Sequence, residues 1–348
     1  MSAELYVSLL QKVELFSMSR TYKAPGINLK GIPMGESDRL LTILTQEFGL
    51  IRALAPGSRK HHSRLSGRSG LFVVNQLFLI QGKTLDKLVQ AETIRSYPGL
   101  SEDLGKLTAS QYLAELVLCQ ALSEQPQEEL FYLLTEHLER LERSPKSAIL
   151  ACLTHATFHL LVLAGLAPQV HVCCVTREPI RPDLGNPNWR AGFSIMAGGI
   201  VKVSELGRLG CDVARVAANL TQPTEPTLPE ARSQPHSSDH SSPLTGARVA
   251  ETTDPGYRTV AHADKTIELT VQLTASELTL LQQLNQPELL AVESISLPSS
   301  LSKHVSAPLP HNLWRRLERL LRHYAQYHFD RSIRSALLID ACFPPVLS

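Results

Sequence analysis

The sequence predicts an α+β protein of several domains, in which a small N-terminal β-barrel is followed by a helical domain. Short runs of β-branched and apolar residues, separated by glycine and proline, fill residues 22–96. After Pro98-Gly99 the apolar residues recur at helical spacing. The charge changes at the same point: residues 1–100 contain 13 lysines and arginines against 7 acids, whereas residues 101–150 contain 4 against 9. The net charge of +1 therefore conceals a basic N-terminal part with an acidic neighbour.

The N-terminal domain is predicted to span residues 18–98 and to contain five short strands. We place these strands at residues 22–29, 39–45, 50–55, 71–80 and 88–96, with a polar break at 31–38. Five short strands in about 80 residues favour a small barrel of the OB type, with an SH3-like barrel as the alternative. Residues 1–17 are predicted to be a loose extension, because Lys12 and Glu14 interrupt any signal-like apolar run, and Met18 is a candidate start of the ordered part.

The third connection of this domain, residues 52–68, contains five basic residues, two histidines and no acid. A loop with only positive charge on a β-barrel is typical of a protein that binds a polyanion through its backbone phosphates. The alternative is a solvated basic loop without a ligand. The candidate DNA-binding residues are Lys23, Lys30, Arg39, Arg52, Arg59, Lys60, Arg64 and Arg68. Few aromatic residues lie nearby, and Phe72 and Phe78 are expected in the core, so phosphate contacts should dominate over base stacking.

The helical domain is predicted in two parts, residues 99–168 and 266–348. Amphipathic helices are expected at 107–123 and 130–141, and Ser144-Pro145 is expected to open an apolar helix that ends near Leu163. Residues 169–215 are predicted to form an irregular subdomain, and residues 216–265, rich in Pro, Ser, Thr and His, a disordered insert. The second part begins with a capping box, Thr274 to Glu277. The two parts are expected to pack as one all-α domain.

A last long helix is predicted to begin near His311. Its polar face is interpreted as a positive ridge and a possible second DNA-binding or acidic-peptide surface, with a solvated helix face as the alternative; the ridge consists of Arg315, Arg319 and Arg322.

The residues give no support for an active site or a metal site. His155 and His159 have the spacing of a zinc-protease helix, but Ala156 stands where that motif needs its glutamate, so both are interpreted as polar residues at a helix boundary. The adjacent Cys173 and Cys174 lack the spacing of a zinc pair. Walker, dinucleotide and Gly-x-Ser-x-Gly motifs are absent from the sequence. No run of about 18 to 20 apolar residues predicts a membrane span, and we expect no metal and no cofactor.

Three N-terminal segments resemble the bacterial recombination-mediator family RecO. They are YKAPGINLKG at 22–31, GESDRLLTILT at 35–45 and GLIRALAPGSRK at 49–60. Later landmarks are similar as well: GFS at 192–194 with Gly198-Gly199, LRHY at 321–324 and IRS at 333–335. The resemblance is specific over the first 100 residues, weaker over 105–205 and 270–335, and absent from the insert.

The resemblance implies an OB-fold followed by a helical domain with a small zinc-finger-like excursion. It also implies a cytoplasmic, nucleoid-associated protein that is not an enzyme. Such proteins bind single- and double-stranded DNA, anneal complementary strands and act with RecR and the tail of single-stranded-DNA-binding protein to help load RecA at gaps.

Many members carry a four-cysteine zinc site in the excursion. This chain keeps Cys173 and Cys174, but near the positions where relatives have the second cysteine pair it has Lys202 and Glu205. We therefore expect a degenerate excursion without metal. The alternative function is a nucleic-acid-processing enzyme, such as a nuclease or metallohydrolase, with an unrecognised site. A scaffold that binds only acidic peptides is a third and weaker alternative.

Overall fold

The N-terminal part of the protein is a closed five-stranded barrel. The computed structural model describes residues 21–203, 270–286 and 311–344. The barrel strands are β1 (Thr21–Met34), β2 (Asp38–Thr45), β3 (Gly49–Ala55), β4 (Val74–Ile80) and β5 (Asp86–Arg95). Their order is β1-β2-β3-β5-β4, and β1 also pairs with β4, which closes the barrel. The β3–β5 pair is parallel and the other four pairs are antiparallel. This is an OB-type barrel, as the sequence predicts.

The first strand is longer than predicted, because it pairs with two neighbours in succession. Its first half pairs with β4, and its second half pairs with β2 as far as Met34 opposite Asp38. The predicted polar break at 31–38 is therefore wrong, and the turn is confined to residues 35–37, where Gly35 adopts a φ of +61°. A bulge between Asn28 and Lys30 changes the strand's direction at the transition between its two partners.

The barrel encloses a small apolar core and buries part of its outer face against the helices. The interior consists of Leu41, Ile43, Ala53, Ala55, Leu65, Leu77, Leu79, Leu88 and Ala91. Outward-facing apolar residues of the barrel, including Ile27, Leu44 and Val74, instead belong to the core of the helical region. One continuous apolar core thus joins the barrel to the rest of the protein, and the basic connection lies on the part of the barrel that remains accessible.

The described residues contain six helices. They are α1 (Leu104–Gln120), α2 (Glu128–Arg143), α3 (Ile149–Leu163), α4 (Ala275–Gln283), α5 (His311–His328) and α6 (Ala336–Cys342). The apolar helix α3 is central and packs against α1, α2 and α5. It does not start at Ser144-Pro145 as predicted: the Ser144 hydroxyl donates back to the carbonyl of Leu141, and a 3-10 turn precedes Ile149. The predicted capping box at the start of α4 is confirmed, with Thr274 and Glu277 each accepting from the other's backbone N–H.

A three-stranded sheet accompanies the helices, and it was not predicted from the sequence. Its strands are β6 (Arg190–Ser194), β7 (Gly199–Val201) and β8 (Thr270–Thr274), in the order β7-β6-β8. Phe193 of β6 is fully buried and contacts Tyr324 of α5, with their ring centroids 5.9 Å apart. The region expected to be irregular therefore docks onto the helical core, and the helical part of the protein is not purely α.

Helix α3 and the turn before it form one window that is long and apolar enough for a membrane span. This window, Lys146–Leu163, is 72% buried inside the protein. The same composition is expected of the central helix of a folded core, and that is where the structure places it.

Several predicted segments lie outside the described residues. These are the extension at 1–17, the insert at 216–265 and Glu205.

Candidate nucleic-acid interface

The basic connection between β3 and β4 is held in place by two buried asparagines of the barrel. The Asn28 amide donates to the carbonyl oxygens of Arg68 and Gly70 at 2.8 and 2.9 Å. The Asn75 amide donates to the same Arg68 oxygen at 2.9 Å. Both asparagines are completely buried. Since buried amides are costly to leave unpaired, these bonds fix the second half of the connection to the barrel wall.

The first half of the connection is fastened to the β1–β2 turn. The Asp38 carboxylate accepts from the backbone N–H of Gly57 at 2.7 Å, and the N–H of Arg59 donates to the carbonyl of Ser37 at 2.8 Å. The Gly57 N–H, the Ser37 hydroxyl and the nearby charge of Lys60 lower the pKa of Asp38. An ionised Asp38 therefore holds the backbone of the loop, and the hydrogen bond does not use the basic side chains of the loop.

The structure exposes most of the predicted DNA-binding residues. The exposed members are Lys23, Arg52, Arg59, Lys60 and Arg64, and the half-buried members are Lys30, Arg39 and Arg68. Lys30 lies opposite Thr42, and Thr42 lies opposite Arg52. Directly paired residues share a face of a sheet, so Lys30 and Arg52 flank Thr42 on the outer face of the barrel.

Two of the predicted DNA-binding residues, Arg39 and Lys23, contact other side chains of the protein. Arg39 donates from Nη1 to the hydroxyl of Ser69 at 2.9 Å, so it also supports the loop. Lys23 lies on the other side of β1, opposite β4, with its Nζ 4.7 Å from the ring centroid of Phe78. The prediction that Phe78 is a core residue is wrong, because it is half-buried on the outer surface beneath this lysine, whereas Phe72 is buried as predicted.

Half-buried Tyr22, which packs against the barrel interior, forms an aromatic pair with Phe48. Tyr22 and Phe48 have ring centroids 4.8 Å apart, and the Tyr22 hydroxyl donates to Asp86. Burial and the carboxylate of Asp86 raise the pKa of Tyr22, so the hydroxyl stays protonated. Phe48 is 36% exposed, so part of its ring is accessible to solvent.

The ridge predicted on the last helix is incomplete, because one of its three arginines is buried. Arg322 is only 4% exposed and binds both Glu318, at 2.9 Å from Nε, and Asp340, at 2.6 Å from Nη2. Arg315 is half-buried and donates to Asn312, which leaves Arg319 as the exposed member. Arg322 therefore connects α5 to α6, and its place in the candidate secondary DNA surface is wrong.

The cysteine pair lies in a tight turn that holds one thiol by backbone donors. Cys173 Sγ accepts from the N–H groups of Thr176, at 3.5 Å, and Lys202, at 3.4 Å. Burial raises the pKa of Cys173, but these donors outweigh it, so the pKa lies below its ordinary value. Near this turn Lys202 forms an ion pair with Glu178. Hydrogen bonds and an ion pair thus stabilise this turn. That the turn binds no metal stays a prediction.

The interpretation of His155 and His159 as residues at a helix boundary is wrong. Both lie inside α3, and His155 is 1% exposed. A third histidine, His137 of α2, which sequence spacing does not connect with them, lies against both rings. Burial lowers the pKa of His137 to about 2 and that of His155 to about 4, so both rings are neutral at physiological pH.

The two asparagines that hold the basic loop were not predicted from the sequence. A signal was present, because Asn28 interrupts the apolar run of β1 and Asn75 interrupts that of β4. A buried polar residue in a strand needs a partner, and here both asparagines donate to carbonyls of the basic loop.

Replacing Asn28 by alanine is expected to loosen the basic loop. The variant leaves the Gly70 carbonyl without its side-chain donor, at a cost of about 1–3 kcal/mol in the free energy of unfolding. Hydrogen exchange should accelerate at residues 57–70 more than elsewhere in the barrel. Asn188→Ala is the control, because Asn188 is exposed and only its backbone donates a hydrogen bond. Equal exchange at 57–70 in both variants would show that the asparagine does not hold the loop.

Comparison with known proteins gives consistent matches over both parts of the chain. The family model described as "Recombination protein O N terminal" matches residues 18–97, and "Recombination protein O C terminal" matches residues 101–228. Relatives named "DNA repair protein RecO" include that of Nostoc sp. strain PCC 7120, which is 51% identical over 94% of this chain and 97% of the relative. The Cyanothece relative is 50% identical over 94% and 98%, and that of Synechococcus elongatus is 38% identical over 93% and 96%.

Proposed function

Because the chain belongs to the RecO family of DNA repair proteins, we propose that it is a recombination mediator that binds single- and double-stranded DNA and anneals complementary strands. The observation that carries the proposal is the acid-free basic loop, held rigidly on an OB-type barrel by Asn28, Asn75 and Asp38. An immobilised loop presents its positive charges without a large ordering cost when DNA binds.

The chemistry of this surface favours contact with the phosphate backbone. Basic side chains predominate on the loop, whereas Phe48, in the β2–β3 turn, and Phe78, on β4 beneath Lys23, lie elsewhere on the barrel. Phosphate contacts carry no sequence information, so binding should be strong at low salt and tolerant of sequence. A surface of this kind neutralises two strands at once, which lowers their mutual repulsion and favours annealing.

The partners and location belong to the same proposal. We infer that the protein acts in the cytoplasm at the nucleoid, with RecR and the tail of single-stranded-DNA-binding protein, and that it helps load RecA onto coated gaps. It acts by binding, without chemical turnover of DNA. The identity to proteins named for DNA repair, over nearly the whole chain, supports the role in DNA repair on which these partners and this location are proposed.

Annealing of complementary oligonucleotides tests the proposal. Full-length protein is expected to accelerate duplex formation between labelled strands by about tenfold or more at low salt, because it neutralises phosphate charge. Prolonged incubation of single strands with the protein and Mg²⁺ or Mn²⁺ should leave them intact. Cleavage that depends on the metal would instead support a nuclease, and unchanged annealing with intact strands would support a scaffold for acidic peptides.

A further inference from the structure

Three histidines from two helices meet at the edge of the helical core. His137 comes from α2, and His155 and His159 lie one turn apart on α3. One ring nitrogen from each lies within 4.8 Å of those from the other two. The ring centroids of His155 and His159 are 4.0 Å apart, and that of His137 is 5.4 and 5.2 Å from them. The three imidazole rings thus place one nitrogen each around a common point, as ligands of a single ion would be placed.

The outer nitrogens of two rings are fixed by backbone carbonyls. Nε2 of His155 is 2.9 Å from the carbonyl oxygen of Gln286, and Nε2 of His159 is 2.9 Å from that of Leu284. A carbonyl only accepts, so each Nε2 carries the proton and each Nδ1 presents a lone pair. Metal-binding histidines are oriented in this way, with the distal N–H donated to a carbonyl or carboxylate.

One pair of inward nitrogens already has a separation close to that of two ligands in a metal site. His137 Nε2 is 3.2 Å from His159 Nδ1 and donates its hydrogen to it, so metal binding requires the His137 proton to move from Nε2 to Nδ1 of the same ring. Two ligands on a tetrahedral ion with bonds of about 2.0–2.1 Å lie about 3.3 Å apart. All three nitrogens lie within 4.8 Å of one another, so the widest separation would have to close by up to about 1.5 Å when an ion binds.

Arg140 is the one cation that contacts these inward nitrogens among the described residues. Its Nη1 lies 3.0 Å from Nδ1 of His155, and its Nη2 donates to Glu136 at 2.6 Å. The Arg140 side chain is 25% exposed and that of Glu136 is 60% exposed. An ion that binds Nδ1 of His155 must displace the guanidinium from this nitrogen, and the ion pair of Arg140 with the exposed Glu136 does not involve His155.

We propose that His137, His155 and His159 form a three-histidine binding site for a divalent transition-metal ion of the zinc class, with Arg140 as the group that the ion displaces. Neutral imidazole nitrogen suits zinc, cobalt, nickel and copper, whereas calcium and magnesium prefer oxygen. Three protein ligands leave the fourth position of a tetrahedral ion open, for water or another donor.

Such a site would join parts of the chain that are far apart in sequence. The histidines belong to the segment before β6, whereas Leu284 and Gln286 follow α4. A bound ion would hold α2 and α3 together and strengthen the histidine contacts to the end of α4. It is chemically independent of the cysteine turn, because Cys173 accepts its bonds near β7, and of the basic loop, which lies on the barrel.

Cobalt binding to the untagged full-length protein, freed of metal with a chelator, tests the site. We expect one equivalent of Co²⁺ to produce visible d–d absorption that Zn²⁺ abolishes by competition, together with a rise in the thermal midpoint of unfolding. His159→Gln should weaken binding by about 100-fold or more, because it removes a ligand. Cys173→Ser/Cys174→Ser and His61→Ala/His62→Ala should bind as the wild type does, since these residues belong to other surfaces.

Arg140 provides a second readout that does not depend on removing a ligand. Arg140→Ala should bind Co²⁺ about tenfold more tightly, because a competing positive charge leaves the site. Arg143→Ala is the matched control, since Arg143 is on the same helix, is 77% exposed and pairs with Glu139; it should not change the affinity. The proposal is overturned if no cobalt spectrum appears, if the spectrum disappears only in the cysteine or His61/His62 variant, or if Arg140→Ala and Arg143→Ala bind alike.

Discussion

Replacing Arg59, Lys60 and Arg64 together by alanine is expected to weaken the binding of single-stranded DNA by roughly 100-fold at 0.1 M salt. All three side chains are exposed on the basic loop. Each phosphate contact to a single strand contributes about 0.7 to the slope of log affinity against log salt, so three lost contacts should reduce that slope by about 2. The loss should be similar for every sequence, because phosphates carry no sequence information.

The loop should keep its conformation in this variant, so the loss reports on charge. The loop is anchored by Asn28, Asn75 and the carboxylate of Asp38, and none of these is changed. Arg59 also donates from its side chain to the carbonyl of Gly35, but this bond is exposed and contributes little.

The matched control removes the same charge from another surface. Arg143, Lys146 and Arg181 are exposed residues outside the barrel, and their triple alanine variant should retain the wild-type slope. Fluorescence anisotropy over a series of salt concentrations measures both variants. If the two variants have equal slopes, the DNA-binding face lies elsewhere on the protein.

The barrel could be predicted from local patterns because its strands are short and separated by glycine, proline and charged turns. The errors occur where tertiary pairing overrides such a signal. Residues 30–34 look like a loop but form a hairpin with β2, since Gly35 allows a turn of three residues. Phe72 looks like part of β4 but has a φ of +59° and packs into the helical core, so β4 begins only at Val74.

The sequence predicted the basic residues of the candidate site, but not the side chains that hold the basic loop in place. An acid-free run of basic residues is visible in one segment of sequence, whereas the bonds from Asn28 and Asn75 to Arg68 require the folded barrel. The error at Arg322 has the same origin. A helical projection places Arg322 on a polar face, but its partner Asp340 comes from the next helix, which the projection does not contain.

The histidine cluster shows the same limit. Its sequence signal is the i, i+4 pair His155 and His159, which is ambiguous alone. The third ring, His137, comes from a different helix, and the carbonyls that orient the pair follow α4, more than 120 residues later. Motif spacing in the sequence cannot identify a cluster whose side chains come from segments far apart in the chain.

Replacing Gly49 by alanine is expected to lower the free energy of unfolding by about 3–5 kcal/mol, because this glycine lies where the barrel meets the helices. Gly49 adopts a φ of +63°, and a Cβ atom there would lie 2.1 Å from the carbonyl oxygen of Leu122 and 2.5 Å from that of Gln125. Around it the N–H of Leu50 donates to Leu122 at 2.8 Å, and the N–H of Glu124 donates to Phe48 at 3.1 Å. Relieving the clash must separate these two backbones and break their hydrogen bonds.

Gly35→Ala separates the cost of the close approach from the cost of the backbone conformation. Gly35 has nearly the same φ, +61°, but no atom lies within 4 Å of the position that an alanine Cβ would occupy there. The free energy of unfolding of Gly35→Ala should fall by only about 1–2 kcal/mol, which is the cost of placing an L side chain in the left-handed region. Urea unfolding of both variants measures the difference. Equal losses would mean that the junction at Gly49 yields easily to the added Cβ atom. A larger loss at Gly49 would show that the close contact of the β2–β3 turn with residues 122–125 resists separation.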